Sequence, residues 1–354
     1  MYHVQTADAL YFCYARGLFR NKKGRDKKPV TPLVGDRVTV LVENEAEKTG
    51  TVQSIEPRTN EMIRPAMANI DQVIVTVSAA QPAFNPGLLD RFLVLAAHAG
   101  IPAVICVSKA DLLEEKDKTL ERSPKPRKED KPSLTTHEET ATSAVSGGFA
   151  QDNRVALSSG VEGDRVPLAG SGAEAPGSGF SAFKDDDRFK PYIMAGYELI
   201  FVSTVTTTGD LLAPLRRAMA GKLSVFAGPS GVGKSSIINA LLPHAQLETG
   251  EISAKLKRGK HTTRAAEILP LGNDPAAGYV ADTPGFSSLD TDDIPPRALA
   301  NCFVEFATFA PLCKFNDCLH GLHNREADCA VRAQVGQAIH PARYAGYLEL
   351  MKRR

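Results

Sequence analysis

Between residues 33 and 80 the apolar side chains come in short alternating or β-branched runs, VGDRVTVLV and then GTVQSIEP, broken by Gly, Asn and Pro. A period of two puts one row of side chains on each face of an extended chain, so this stretch predicts the strands of a small barrel and an all-β N-terminal unit. At Val73 the pattern changes. VIVTV is a continuous run of apolar and β-branched residues, GLLDRFLVLAAHAG repeats its apolar positions at helical spacing and closes on Gly100, and AVICV is apolar throughout. Strand, helix and strand in that order make one βαβ unit of a parallel sheet. Strand signals return at ELIFVS (198–203), LSVFAG (223–228) and GYVAD (278–282), and beyond about Asp290 the chain reads as helical.

The pattern fails between Glu114 and Lys190, where only 12 of 77 residues belong to the Ile/Leu/Val/Phe/Met/Tyr/Trp set. Such a stretch cannot bury enough apolar surface to order itself, so residues 114–190 are expected to form a disordered insertion on an α/β domain. The 354-residue length suits two or three domains, and 42 Lys+Arg against 41 Asp+Glu exclude a global field that drives the chain onto nucleic acid or an anionic membrane. There is neither an apolar run of eighteen residues nor a secretory signal, so no membrane association is expected. Of six Cys, Cys313, Cys318 and Cys329 crowd together with His320 and His323, which favours a metal site in a reducing compartment over a disulfide framework.

The strongest chemical signal is Gly228-Pro229-Ser230-Gly231-Val232-Gly233-Lys234-Ser235, which fits G-x-x-x-x-G-K-[ST] between the strand LSVFA and the helix KSSIINALL that carries Ser236. Its glycines let successive N–H groups turn around a β-phosphate, Lys234 reaches the β/γ oxygens, and Ser235 offers a hydroxyl to Mg²⁺. Asp282-Thr-Pro-Gly285 follows the strand GYVA, where the carboxylate can hold Mg²⁺ through water and the Gly285 N–H can sense a γ-phosphate. Between them, Arg258-Gly-Lys-His261-Thr262-Thr263-Arg264 offers Thr262 or Thr263 to complete the Mg²⁺ shell. For the base, Ser108-Lys109-Ala110-Asp111 follows the strand AVICV, and a carboxylate there can accept from both the ring N–H and the exocyclic amine of guanine. Ser203-Thr204, after LIFVS, sits where loop backbone could meet the guanine O6.

The order is informative: base-reading element, second base loop, phosphate loop, Thr-bearing loop, then DTPG. Ordinary GTPases run phosphate loops first. The chain resembles the circularly permuted GTPases, and specifically the ribosome small subunit-dependent GTPase family, RsgA (YjeQ or YloQ), through GDRV, RTNEMIRPAMANIDQVIV, LLDRFLV, GPSGVGKSSIIN, RGKHTTR, DTPGF, CKFNDCLH and RYAGYLEL. The resemblance implies a multi-domain α/β protein: an OB-fold β-barrel over 1–68, a permuted P-loop GTPase domain over 69–290, and a helical zinc-binding domain over 291–354. It also implies GTP hydrolysis, one structural Zn²⁺, Mg²⁺ with GTP, and the small ribosomal subunit with its rRNA as partner.

Three departures from the family pattern stand out. Ser108 replaces the usual Asn, which removes an amide expected to brace the base and the phosphate loop. The insertion lengthens the connection between the two base-reading elements. In the zinc motif, Cys313-x4-Cys318-x-His320 matches the family's C-x4-C-x-H-x5-C, but eight residues rather than five precede Cys329. Five residues separate His323 from Cys329, so either imidazole could complete a Cys₃His shell; the Cys-x-His turn favours His320. That closed shell leaves no position for water and is expected to be structural.

Hydrolysis needs an oriented water, and the residue after DTPG is Phe286, which cannot hold one. His261, beside the Thr pair, is the nearest polar group for that role. Arg16, Arg20, Lys22, Lys23, Arg25, Lys27 and Lys28, together with Lys255, Lys257, Arg258 and Lys260, form two basic clusters suited to RNA backbone. A late-acting assembly GTPase, monomeric and cytoplasmic, is the resulting expectation, with a chloroplast or mitochondrial setting as the alternative. Its rivals are a P-loop ATPase or kinase, and an RNA-binding module with a decayed nucleotide site.

Overall fold

The computed structural model describes residues 1–6, 9–15, 31–62, 66–112, 186–205, 210–242, 267–282, 290–321 and 328–353. Four N-terminal strands, β1 (Tyr2–Gln5), β2 (Leu10–Ala15), β3 (Val38–Asn44) and β4 (Thr49–Ile55), form one sheet in the order β1-β2-β4-β3. Two of them lie ahead of the 33–80 stretch that carries the alternation. Tyr11, Cys13 and Val52 are the buried centre, and β3 shifts register against β4 between Thr39/Val40 and Val42/Asn44, the irregularity that bends a sheet toward closure. A short ribbon, β5 (Glu61–Met62) and β6 (Met67–Ala68), leads into the central domain.

The second sheet runs β11-β12-β10-β7-β8-β9, with β7 (Gln72–Ser78), β8 (Ala103–Ser108), β9 (Leu199–Phe201), β10 (Leu223–Ala227), β11 (Glu267–Pro270) and β12 (Tyr279–Asp282). All its pairings are parallel except the edge strand β11 on β12. Every residue of β7 is buried because helices cover both faces. Val73, Val75 and Val77 pack on the side of α1 (Pro86–His98), while Ile74 packs with Leu215 and Met219 of α3 (Ala213–Met219) and Ile237 and Leu241 of α4 (Lys234–Leu241). The continuous apolar run read at Val73 is thus a strand buried on both sides.

The expected insertion needs a shorter C-terminal boundary. Residues 186–190 belong to the fold: Phe189 is fully buried with its ring edge-on to Phe84 at 5.2 Å, Arg188 donates to the Ala79 carbonyl at 2.9 Å, and α2 (Lys190–Met194) begins there. Averaging composition over 77 residues hid one aromatic that anchors the returning chain. Residues 114–185 lie outside the described residues.

Past Asp290, α5 (Pro296–Asn301), α6 (Ala330–Ala333) and α7 (Pro341–Met351) pack around Phe303, Phe306, Ile339 and Tyr347, and this core extends onto Val94 of α1. Among the described residues no helix is long and apolar enough to cross a membrane.

Candidate nucleotide site and metal cluster

The phosphate loop leaves the middle of the sheet, since β10 lies between β12 and β7. Three of its glycines hold left-handed backbone: Gly228 at φ 136°, Gly231 at φ 81° and Gly233, the N-cap of α4, at φ 93°. A Cβ on Gly228 would also drive into the Thr76 carbonyl of β7, so this position is closed to larger residues. Lys234 Nζ curls along the loop and donates to the carbonyls of Gly228 at 2.8 Å and Pro229 at 2.7 Å. Burial holds its ammonium below the ordinary lysine value, which favours a dense anion as partner. Ser235 and Ser236 lie in the first turn of α4 and Ser230 is exposed at the loop tip.

The tetrapeptide 108–111 lies beside this loop. Ser108 is buried, and its Oγ donates to the Val232 carbonyl at 2.5 Å, with the Val77 carbonyl at 3.0 Å. The loss of bracing expected from Ser in place of Asn is therefore corrected for the phosphate loop, because a hydroxyl on the short side chain still reaches it. Lys109, at φ 57°, donates to Gly231 at 2.9 Å and to Gln81 at 2.5 Å. The Ala110 N–H donates to the Val202 carbonyl at 3.1 Å, which ties the 108–111 segment to the chain just before Ser203-Thr204.

Asp111 accepts at Oδ1 from the Ser203 hydroxyl at 2.5 Å, and the same hydroxyl accepts from the Val205 N–H at 3.2 Å. Sequence reasoning gave Ser203 and Thr204 a backbone role only; the hydroxyl that orients the carboxylate was missed, because its partner is 92 residues away. Thr204 is exposed next to it. Asp282 closes β12 in register with Glu267. His261, Thr262, Thr263, Gly285, Phe286 and His323 lie outside the described residues, as do the basic clusters at 16–28 and 255–264.

Cys313, Cys318, His320 and Cys329 come together with all four ligand atoms within 4.8 Å of one another. His320 Nδ1 is 3.5 Å from Cys313 Sγ and 3.4 Å from Cys329 Sγ, and the two sulfurs are 3.8 Å apart. Bonds of about 2.0–2.3 Å to a tetrahedral cation give ligand separations of about 3.3–3.8 Å, so these residues fit a zinc ion. Local packing explains the fit. His320 sits at φ 56°, its carbonyl accepts from the Tyr344 hydroxyl at 2.7 Å, the Leu319 carbonyl accepts from Tyr347, and the Phe306 ring meets the imidazole edge-on at 5.7 Å. Burial pushes the Cys318 thiol up to about 12, a penalty a bound cation reverses. Cys13 and Cys106 are buried away from this cluster, and so is Cys302, whose Sγ donates to the Ala298 carbonyl at 3.1 Å.

Residues 55–157 and 183–292 match the RsgA GTPase family, and residues 1–52 match the RsgA N-terminal domain. The chain belongs to the RsgA GTPase family. Membership makes it a GTP hydrolase with a permuted GTPase domain. Relatives called small ribosomal subunit biogenesis GTPase RsgA include one from Alkaliphilus metalliredigens, 36% identical over 99% of this chain and 92% of its own length, and one from Geobacillus thermodenitrificans, 38% identical with the same coverage. Among solved structures, YloQ, described as a circularly permuted GTPase, is 28% identical with a TM-score of 0.61 over 98% of this chain and 87% of its own. YjeQ from Thermotoga maritima is 25% identical with a TM-score of 0.65 over 99% and 93%. The interruption between the two matched segments, 158–182, lies within the 114–185 stretch of this RsgA chain, whose residues 114–157 fall inside the first matched segment.

Proposed function

We propose that this protein is a late-acting assembly factor of the small ribosomal subunit, which binds the maturing subunit with GTP and leaves once GTP is hydrolysed to GDP and phosphate. The particle is suggested by the names of the curated relatives. Within the chain, the observation that carries the nucleotide reading is the Asp111 carboxylate, oriented by Ser203 and built on the same tetrapeptide that braces the phosphate loop. A carboxylate accepts from both donors of guanine, whereas adenine presents an acceptor at its ring nitrogen, which argues against the ATPase rival.

In this reading Asp111 takes the guanine N–H groups, the Ser203-Thr204 backbone meets O6, and residues 228–236 cradle the phosphates with Lys234 on the β/γ oxygens. Ser235, Asp282 and Thr262 or Thr263 would hold Mg²⁺, which neutralises charge on the transferring phosphoryl group. The Gly285 N–H meets the γ-phosphate. His261 orients the attacking water, and docking of the 255–264 segment on rRNA brings it there, so turnover without the subunit is slow. The cluster at 16–28 supplies a second RNA backbone contact.

Cys313, Cys318, His320 and Cys329 would hold one Zn²⁺. Three thiolates and an imidazole close the shell, so its contribution is folding energy for the C-terminal domain rather than chemistry on GTP. The protein acts as a monomer, in the cytoplasm given its bacterial relatives. GTP hydrolysis measured with and without purified small subunits tests the proposal. Stimulation by the subunit, undiminished by excess ATP, is expected; equal rates with and without it would overturn the assembly role.

A further inference from the structure

The N-terminal sheet has one closed face and one open face. Along β2, Tyr11 and Cys13 turn into the buried centre with Val52, while Leu10, Phe12 and Tyr14 alternate with them on the other side. Leu10 is 43% exposed there, Phe12 37% and Tyr14 60%. Register carries this outer face across the sheet: His3 of β1 stands opposite Phe12, Thr49 and Thr51 of β4 stand opposite Phe12 and Tyr14, and the exposed Leu41 of β3 stands opposite Thr51. A strand with one solvated face ordinarily puts polar side chains on it, yet three successive outward positions of β2 are apolar or aromatic. Single exposed apolar residues are commonplace, whereas a contiguous row marks a binding surface.

The spacing of the rings says what fits. Side chains two positions apart on a strand are separated by about 6.8 Å, about twice the 3.4 Å rise per nucleotide of a stacked strand. Phe12 and Tyr14 therefore match successive bases only where those bases have come apart; in a duplex each base face is covered by its neighbours. The His3 and Phe12 rings lie 5.0 Å apart at 84°, a corner rather than a closed stack. Charge favours nucleic acid over an apolar protein surface, because residues 16–28, which follow β2, carry seven Lys or Arg against the single acid Asp26. Rings that take base faces beside cations that take phosphates are the combination that holds single strands.

We propose that Phe12 and Tyr14 stack unpaired bases of the RNA on the outer face of the N-terminal sheet, so that this domain reads single-stranded rather than helical RNA. The proposal rests on the reading that this domain meets RNA, and adds a base contact to the backbone contact of residues 16–28.

Fluorescence anisotropy on the full chain, with a labelled RNA of about 12 nucleotides that has no internal pairing, alone and annealed to its complement, tests it. Tyr14→Ala is expected to weaken the single strand about 5- to 100-fold and to leave the duplex within about twofold. Phe12→Ala gives the same split, and the more exposed Tyr14 carries the test if that variant does not fold. The chain has no Trp, so Tyr14→Trp places a single reporter in the row; it should keep its affinity and lose emission as a base stacks on it. Unchanged single-strand affinity in Tyr14→Ala, equal losses on strand and duplex, or full emission from Tyr14→Trp at saturating RNA overturns the proposal. So does a Tyr14→Ala variant that keeps its RNA affinity but no longer cosediments with the small subunit, which would give the row to a protein. A wild-type chain that binds neither form of RNA would instead overturn the RNA reading beneath it.

Discussion

Arg343 of α7 and Asp90 of α1, 253 residues apart, form an ion pair that is almost wholly buried, with side-chain exposures of 1% and 3%. Glu305 takes the other edge of the guanidinium at 2.6 Å, and the Phe303 ring stacks against it at 4.7 Å. Gly346, one turn beyond Arg343, leaves room for the Asp90 carboxylate, which a Cβ there would strike. A charged knot thereby fixes the C-terminal domain to the helix that follows β7 in the GTPase sheet. Buried ion pairs add little stability over a well-packed apolar contact, whereas removing one partner leaves the other charge buried and uncompensated.

Arg343→Met should cost about 3–5 kcal/mol, because it strands two buried carboxylates rather than removing one contact. Chemical denaturation of the single variant and of the Asp90→Leu/Glu305→Leu/Arg343→Met triple variant checks this. The triple variant is expected to be the more stable of the two.

Asp111→Asn should shift preference from GTP toward xanthosine nucleotides, since the amide presents a donor where guanine also donates. The lost charge-assisted contact costs about 1.5–3 kcal/mol of GTP affinity. Calorimetry with both nucleotides reads it, and unchanged GTP binding would remove residues 108–111 from the base site.

Metal analysis should find one zinc per chain, lost in His320→Ala and kept in His323→Ala. Tyr344→Phe, which deletes the hydroxyl on the His320 carbonyl, should lower zinc affinity by about 10-fold or more, as supporting contacts around metal ligands do. Full zinc in His320→Ala with loss in His323→Ala would assign the ligand to the other imidazole.

His261→Ala should bind GTP and the small subunit almost normally while losing about 10²-fold of subunit-stimulated turnover, with little change in the unstimulated rate. Paired rate measurements decide the matter. A variant that keeps full stimulation leaves water orientation to the backbone or to the ribosome.

Contiguous features were legible in the chain itself. The phosphate loop reads from eight adjacent residues because its function is backbone geometry, which Gly228, Gly231 and Gly233 dictate locally. The strands β7 and β8 read from runs of successive apolar and β-branched residues because a strand covered on both faces need not alternate apolar with exposed polar positions. The Cys and His spacing reduced the metal ligands to two candidate imidazoles, and only the packing of Tyr344, Tyr347 and Phe306 brought His320 to the sulfurs. Ser108 looked like a loss when judged by residue type alone; its partner Val232 comes within reach through the pairing of β7 with β8 and β10. Ser203 on Asp111 and Arg343 on Asp90 follow the same rule. Local conformation is set by interactions a few residues long and leaves a pattern in the chain, whereas a side chain's partner across the fold depends on how sheets and helices stack, which no short stretch of sequence encodes.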